Sequence, residues 1–373
     1  MTIRTFLAAL PMAAGLTAAA AAQSEFQLSA HTFLDYNRAT MDGETITDRF
    51  QHRQMRFTAT GRQDAWHWAA MVDVSGADPQ VFDLFIERRG ETTVRVGNFR
   101  MPGGLEQSSS VYETTLLERS AVSKVNGLGR RFGAALYRDL GPVNLSAGVF
   151  TDSINADITE GFYASARAFH ARELEGGTLH LGGWARHRQA DDAHARLGYG
   201  HRPVANTAPR LVSTGAISDS DQVYALEAAW VRGGWSAQGE YARTRADCAP
   251  GRCGGSDSQW FNSGYAELTR VWGGARSYAA RTGTFGRRTV DAPVGQGGMG
   301  AFELTARYEL ADLVGDFIQG GRQHAAVLGA VWHVNRYGRV MVNQSVADIS
   351  GSPSALGDGT VHATMARLQI EIR

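Results

Sequence analysis

Lysine is almost missing from this chain: Lys124 stands alone in a total of 37 lysines and arginines. Proline is sparse at 9 residues, and cysteine is limited to 2, Cys248 and Cys253. These two fall in RADCAPGRCGG. Two sulfur ligands fall short of a structural zinc centre. In an exported chain the same pair points to a loop disulfide with a structural role. Beyond the N-terminal segment no apolar run reaches about 18 residues, which excludes a helical membrane span there. The net charge at pH 7 is +0, so bulk charge argues for neither an anionic partner, nucleic acid included, nor a cationic one. Enzyme signatures are also missing. The 11 histidines form no HExxH pair and no GxSxG elbow occurs. The cluster GLGRRFG has the wrong spacing for a dinucleotide loop and opens a strand rather than a helix. No metal site and no cofactor is expected.

What is present begins with MTIRTFLAALPMAAGLTAAAAAQS. A short basic start with Arg4, an apolar run from Phe6 to Ala20 and the small residues Ala20-Ala21-Ala22 read as a signal peptide. The expected division is residues 1–22 as signal and 23–373 as the mature domain, exported from the cytoplasm.

The mature chain alternates with period two almost throughout. Phe302, Leu304, Ala306, Tyr308 and Leu310 interleave with Glu303, Thr305, Arg307 and Glu309; Leu368, Ile370 and Ile372 interleave with Arg367, Gln369 and Glu371. Such segments of about 9–12 residues are strands with one apolar and one polar face. Tight connectors such as Gly141-Pro142 and Gly233-Gly234 alternate with long ones: Asn37 to Asp48, Arg100 to Leu128, Gln189 to Ser220, Ala246 to Asp257 and Ser350 to Gly359. Short turns alternating with long loops mark an outer-membrane barrel, because hydrocarbon cannot satisfy an open sheet edge. The fold class expected is all-β: a 16-stranded antiparallel transmembrane β-barrel with an inward-folded constriction loop, its strands near 25–36, 49–61, 65–74, 80–88, 92–99, 129–139, 143–151, 160–171, 177–188, 221–232, 234–245, 258–272, 300–311, 323–334, 338–348 and 361–372. Ala193 to Arg202 looks strand-like but belongs to the outer loop, since counting it would put the termini on opposite sides of the membrane. Gly273 to Met299 is too long for an ordinary periplasmic turn and has no reading at this level. A soluble β-sandwich is the alternative. It is disfavoured by strand length and by aromatics near strand ends, such as Trp66, Trp230, Trp235, Tyr241, Trp272, Trp332 and Tyr337, which suit interfacial girdles.

Four stretches resemble the phosphate-selective porin O and P family: GNFRMPGGLEQSSSVYETTLLERS from Gly97, RPVANTAPRLVSTGAISDSDQVYALEAAWVRGGWSAQGEY from Arg202, GGARSYAARTGTFGRRT with GAFELTARYELADL from Gly273, and VLGAVWHVNRYGRVMVN from Val327. The resemblance implies a homotrimer in outer-membrane lipid. It implies passive diffusion of phosphate or other small anions, and a lumen loop made by the stretch from Gly104 to Arg131. A polar loop lies at membrane depth only where it lines water. The family places lysine between the Leu-Glu and the Glu-Arg-Ser of this loop. Here none occurs from Glu106 to Leu117, and Tyr112 and Glu113 stand there instead.

Positive charge near a narrow passage is what an anion pore requires. Pleat direction puts Arg56, Arg95, Arg131 and Arg307 on polar faces. Arg119, Lys124 and Arg130 lie in or beside the inserted loop, and Arg186 and Arg188 share a face with His180. Their other reading is as partners of Glu240, Glu267, Glu303 and Glu309 in lumen cross-ties. The function expected is therefore an anion porin. A weakly selective porin that also passes cations, an enzyme barrel of the phospholipase kind and a plugged structural barrel are the alternatives.

Overall fold

The structure is a computed structural model that describes residues 25–156, 161–190 and 196–372. The signal sequence expected over 1–22 lies outside the described residues. Sixteen antiparallel strands close into a barrel. The first nine, β1 (Glu25–Met41), β2 (Glu44–Gln63), β3 (Trp66–Asp73), β4 (Gln80–Arg88), β5 (Thr92–Arg100), β6 (Arg130–Asp139), β7 (Val143–Phe150), β8 (Phe162–Leu174) and β9 (Gly177–Gln189), pair in sequence order. The short β10 (Leu197–His201) is not part of the wall. Instead β9 pairs with β11 (Val212–Arg232), which continues to β12 (Trp235–Cys248) and β13 (Ser258–Trp272). After an excursion through β14 (Arg276–Ala279) and β15 (Thr284–Arg288), the wall resumes with β16 (Ala301–Val314), β17 (Gln319–His333), β18 (Gly338–Ser350) and β19 (Gly359–Ile372). The pairing of β1 with β19, from Ala30↔Ile372 to Met41↔Val361, closes the ring and leaves no edge.

The pleat sorts the side chains. Leu84, Ile86, Val94, Val96, Leu136, Leu145 and Val149 stand exposed on the outer face. Arg367, Glu303, Arg307 and Glu267 face inward and are buried. Trp66, Trp235, Trp272, Trp332 and Tyr337 are exposed near the turn-side strand ends. Register sets Trp272 beside Phe302 and Phe302 beside Trp332, so one interface receives a row of rings.

Three expectations need correction. Asn37 to Asp48 is not a long loop: the ladder between β1 and β2 runs up to Met41↔Glu44, leaving Asp42 and Gly43 as the turn. Both of these residues have positive φ, 49° and 94°. Strand length is also less uniform than expected, from 8 residues in β3 to 21 in β11. Tall strands carry their ladder above the membrane, where no apolar face marks them. For the same reason β11 begins at Val212, inside the stretch expected to be loop up to Ser220, and pairs there with β10.

The remaining chain packs against the inside of the wall and at its mouths. Residues 202–211 fold over the loop-side mouth, burying Val204, Ala205, Ala208 and Leu211. Gly273 to Met299 lies at the turn side, and its β14–β15 hairpin packs against the constriction loop described below. Phe285 is buried with Leu105, Ala229 and Val231, and its N–H donates to Ser109 Oγ at 2.9 Å. Arg167 Nη2 holds the hairpin turn through the Gly283 carbonyl at 2.9 Å. Across the loop after β12, Cys248 and Cys253 form a disulfide.

Candidate functional site: the constriction

The connection between β5 and β6 contains two short helices, α1 (Leu105–Ser108) and α2 (Ala121–Val125), with a 3₁₀ turn at Val111–Glu113 between them. Its apolar side chains hold it to the wall. Leu105, Leu116, Ala121 and Val122 are at most 1% exposed. Val122 and Leu128 pack with Trp184, Val223, Ala225, Ala242 and Tyr265 on β9 and β11–β13. Gly329 on β17 leaves the space that Leu116 occupies; a Cβ there would lie 2.4 Å from Leu116 Cδ2.

Polar contacts fix the rest. The Glu106 carboxylate accepts from Ser120 N and Oγ at 2.8 and 2.7 Å and from Ser123 Oγ at 3.0 Å. It also meets Arg307 Nη2 at 2.6 Å. Glu240 Oε1 accepts from the Glu106 N–H at 2.8 Å, and Glu267 Oε1 accepts from Thr115 Oγ1 at 2.7 Å. Asn126 bridges Thr244 at 2.6 Å and Ser263 at 3.1 Å. Farther round, Arg339 Nη1 donates to the Thr114 carbonyl at 3.2 Å, and the Tyr112 ring centre stands 3.6 Å from that of His31 on β1. The loop thus lines β11–β13 and β16–β19 and reaches β1.

The wall formed by β2–β6 carries a second set of charges. Arg56 Nε donates to Asp73 at 2.7 Å. Arg130 binds Asp83 through both Nε and Nη2, at 2.8 and 2.9 Å. Phe82 lies between them, its ring 3.7 Å from the Arg56 guanidinium carbon and 4.8 Å from that of Arg130. A β-bulge puts Phe82 there: Met71 pairs with Asp83 and Val72 with Val81, so Phe82 has no partner across the ladder. Arg100 adds a third guanidinium; it donates to the Gln107 and Ser109 carbonyls at 2.9 and 2.7 Å. Arg119 joins from the loop through the Ser109 carbonyl at 2.8 Å and the Glu106 carbonyl. Register sets Arg100 opposite Arg130 across the β5–β6 ladder.

The remaining candidate cations fall in distinct places. Arg95 donates to Glu87 at 2.7 Å and lies 4.2 Å from the Phe85 ring. Arg131 sits 4.6 Å from the Tyr163 ring with its Nε unpaired. Arg307 is caged by Glu106, Glu267 and Glu309. Arg186 and Arg188 share Asp221 at 2.9 and 2.5 Å. His180 is on the same inward face but near the turn end, bound to Glu227 at 3.0 Å. Accessibility separates these groups. Side-chain exposure is 39% for Lys124, 28% for Arg53, 26% for Arg95 and 14% for Arg130, against 1% for Arg307 and 0% for Arg186. Lys124 donates to Glu118 at 2.9 Å, with Arg53 at 3.6 Å from the same carboxylate. Burial opposes charge on Glu118, but Lys124 and Arg53 outweigh it and hold its pKa down at about 2.

Sequence reasoning missed Phe82, Asp83, Asp73, Arg53 and Arg100. The bulge that aims Phe82 inward has no signature in the alternation, and Arg100 is the last residue of the wall strand β5, not the first of the loop. Also missed were Arg276 and Arg288, on a hairpin the turn-length rule does not foresee. Arg288 binds Glu303 at 2.7 and 2.9 Å.

A closed barrel with an apolar outer belt and a loop anchored across its charged interior defines a porin-type channel. The chain belongs to the phosphate-selective porin O and P family, whose profile matches residues 26–372. A protein of Caulobacter vibrioides, described as uncharacterized, is 29% identical over 320 residues, covering 81% of this chain and 63% of the relative. The chain thus spans under two thirds of that relative's length. Among solved structures it is similar in fold to an anion-selective porin from Comamonas acidovorans, at TM-score 0.58 and 12% identity over 94% of this chain and 100% of that one. OmpF of Salmonella typhi, in complex with daunomycin, gives TM-score 0.58 and 11% identity over 93% and 97%. OmpT of Vibrio cholerae in a trimer form gives 0.56 and 10% over 93% and 99%.

Proposed function

We propose that the protein passes small anions, phosphate among them, by diffusion between the constriction loop and the β2–β6 wall. The observation that carries this reading is the grouping of Arg56, Arg100, Arg119 and Arg130 at the root of the loop, with Arg100 and Arg119 bound to neutral carbonyl oxygens. Fixed positive charge beside a narrow water column lowers the barrier to anions. Arg95, Arg131 and Lys124 extend the charge along the passage, while Arg186, Arg188 and Arg307 act from within the lining as cross-ties. The proposed unit is a homotrimer. Strands β3–β7 hold only 8 to 10 residues. At a rise of about 3.3 Å and a tilt near 40° this gives roughly 20–25 Å, little more than the apolar band alone. A wall this short is covered best by neighbouring subunits. Export is proposed to use residues 1–22 as a cleaved signal.

A second reading is a weakly selective pore. It is favoured by the carboxylates beside Arg56, Arg95 and Arg130: Asp73, Glu87 and Asp83. Reversal potential in a planar bilayer under a potassium chloride gradient separates the readings. An anion-ward potential supports the first, and a potential near zero the second.

A further inference from the structure

Under the tip of the constriction loop lies a cavity of about 60 Å³ at the turn-side end. Four separate parts of the chain line it. Tyr112 and Glu113 come from the loop tip, Arg287 and Arg288 from the β14–β15 hairpin, Arg336 and Arg339 from the turn-side end of β17–β18, and Gln369 and Glu371 from β19. We propose that this cavity is a binding site for one compact oxyanion, of the size of inorganic phosphate or a short carboxylate. From the preceding section it takes only that solutes reach the turn-side mouth.

The charges inside are not evenly matched. Arg288 is held by Glu303, and Arg287 by Glu371 at 2.6 Å. Glu113 stands 3.7 Å from both of these arginines, so its own charge is answered. Arg339 differs. It is 5% exposed, yet its guanidinium donates only to neutral oxygens, the Thr114 carbonyl at 3.2 Å and Gln369 Oε1 at 2.8 Å. Its Nε is buried without a partner, and so is the Tyr112 hydroxyl. A buried cation and two unspent donors are costly unless an acceptor arrives. An anion supplies both the acceptor oxygens and the missing negative charge. A cation would meet Arg339 and Arg336, and a neutral polyol would leave the Arg339 charge unanswered. Size restricts the choice further: each water needs about 10–15 Å³ by this measure, so the space fits a group of a few heavy atoms.

Isothermal titration calorimetry of the detergent-purified protein tests this, with inorganic phosphate and acetate titrated separately at constant ionic strength. Saturable binding of one anion per chain is expected, and the anion that saturates identifies the source. Arg339→Gln weakens it about tenfold or more, the usual scale of one lost charged hydrogen bond. Tyr112→Phe, which removes a single oxygen and leaves the loop ring in place, weakens it less, and Arg322→Gln at the loop side leaves it unchanged. Heat-modifiable gel mobility confirms that each variant is folded. No saturable binding of either anion, or binding by folded Arg339→Gln and Tyr112→Phe equal to wild type, overturns the site. A cation-ward reversal potential with this binding intact would remove the anion-pore reading and leave the site standing.

Discussion

Arg307 Nη2 on β16 lies 2.6 Å from Glu106 Oε1 in the constriction loop and 2.6 Å from Glu267 Oε2 on β13. One side chain therefore ties the loop to two strands of the wall. Replacing Arg307 by Met leaves Glu106, Glu267 and Glu309 buried together with their shared cation gone. Breaking such a buried cluster costs on the order of 3–5 kcal/mol. The expected outcome is a lower unfolding midpoint in urea and a noisier single-channel current as the loop loosens. Current as quiet as wild type would show that the remaining contacts suffice to hold the loop.

Packing makes an independent claim on the same loop. Gly329→Val puts carbon into the space filled by Leu116, where even a Cβ would be 2.4 Å from Leu116 Cδ2. The loop must then shift off β17, and single-channel conductance changes while the barrel remains heat-modifiable on gels. Overpacking of this sort costs about 1–3 kcal/mol, too little to open a closed barrel.

Charge on the β2–β6 wall is predicted to set selectivity. Arg130→Gln removes a partly exposed guanidinium and leaves Asp83 without its bidentate partner. The reversal potential in a salt gradient should move toward cations, and the companion change Asp83→Asn should move it toward anions. Equal potentials in both variants would place this pair outside the ion path.

Glu118 gives a pH-dependent outcome. Its pKa is held at about 2 chiefly by Lys124 and then Arg53, against burial. A depressed pKa means that the ionised form, and the stability it lends, persists below the ordinary carboxylate range and fades only as pH falls through about 2. Glu118→Gln should therefore differ from wild type in reversal potential at pH 7, and by a similar amount at pH 4. A difference that vanishes at pH 4 would show that Glu118 titrates like a free carboxylate.

Much of the wall could be read from alternation alone. Ala301–Val314 and Gly359–Ile372 show a buried residue after each exposed one for most of their length, because lipid on one side and polar lining on the other impose period two. The strand-like segment up to Arg202 could be kept out of the wall by parity of the termini, and β10 does pair outside it. Above the membrane that constraint lapses, and so the continuation of β1 and β2 to Met41 and Glu44 was hidden. The bulge at Phe82 and the β14–β15 hairpin were hidden for another reason. Both depend on contacts between elements that are not neighbours in sequence, such as Arg56 with Phe82 and Ser109 with Phe285. Local pattern carries no trace of such partners.

The central claim is that arginines beside the constriction loop favour anions in a water-filled barrel. Its most direct measurement is the zero-current potential of the purified wild-type protein in a planar bilayer under a tenfold potassium chloride gradient, a factor that corresponds to about 1.4 kcal/mol of chemical potential per ion. Stepwise open channels with a potential displaced toward the chloride equilibrium value are expected. A potential displaced toward the potassium value, or insertion without any conductance, would contradict the account.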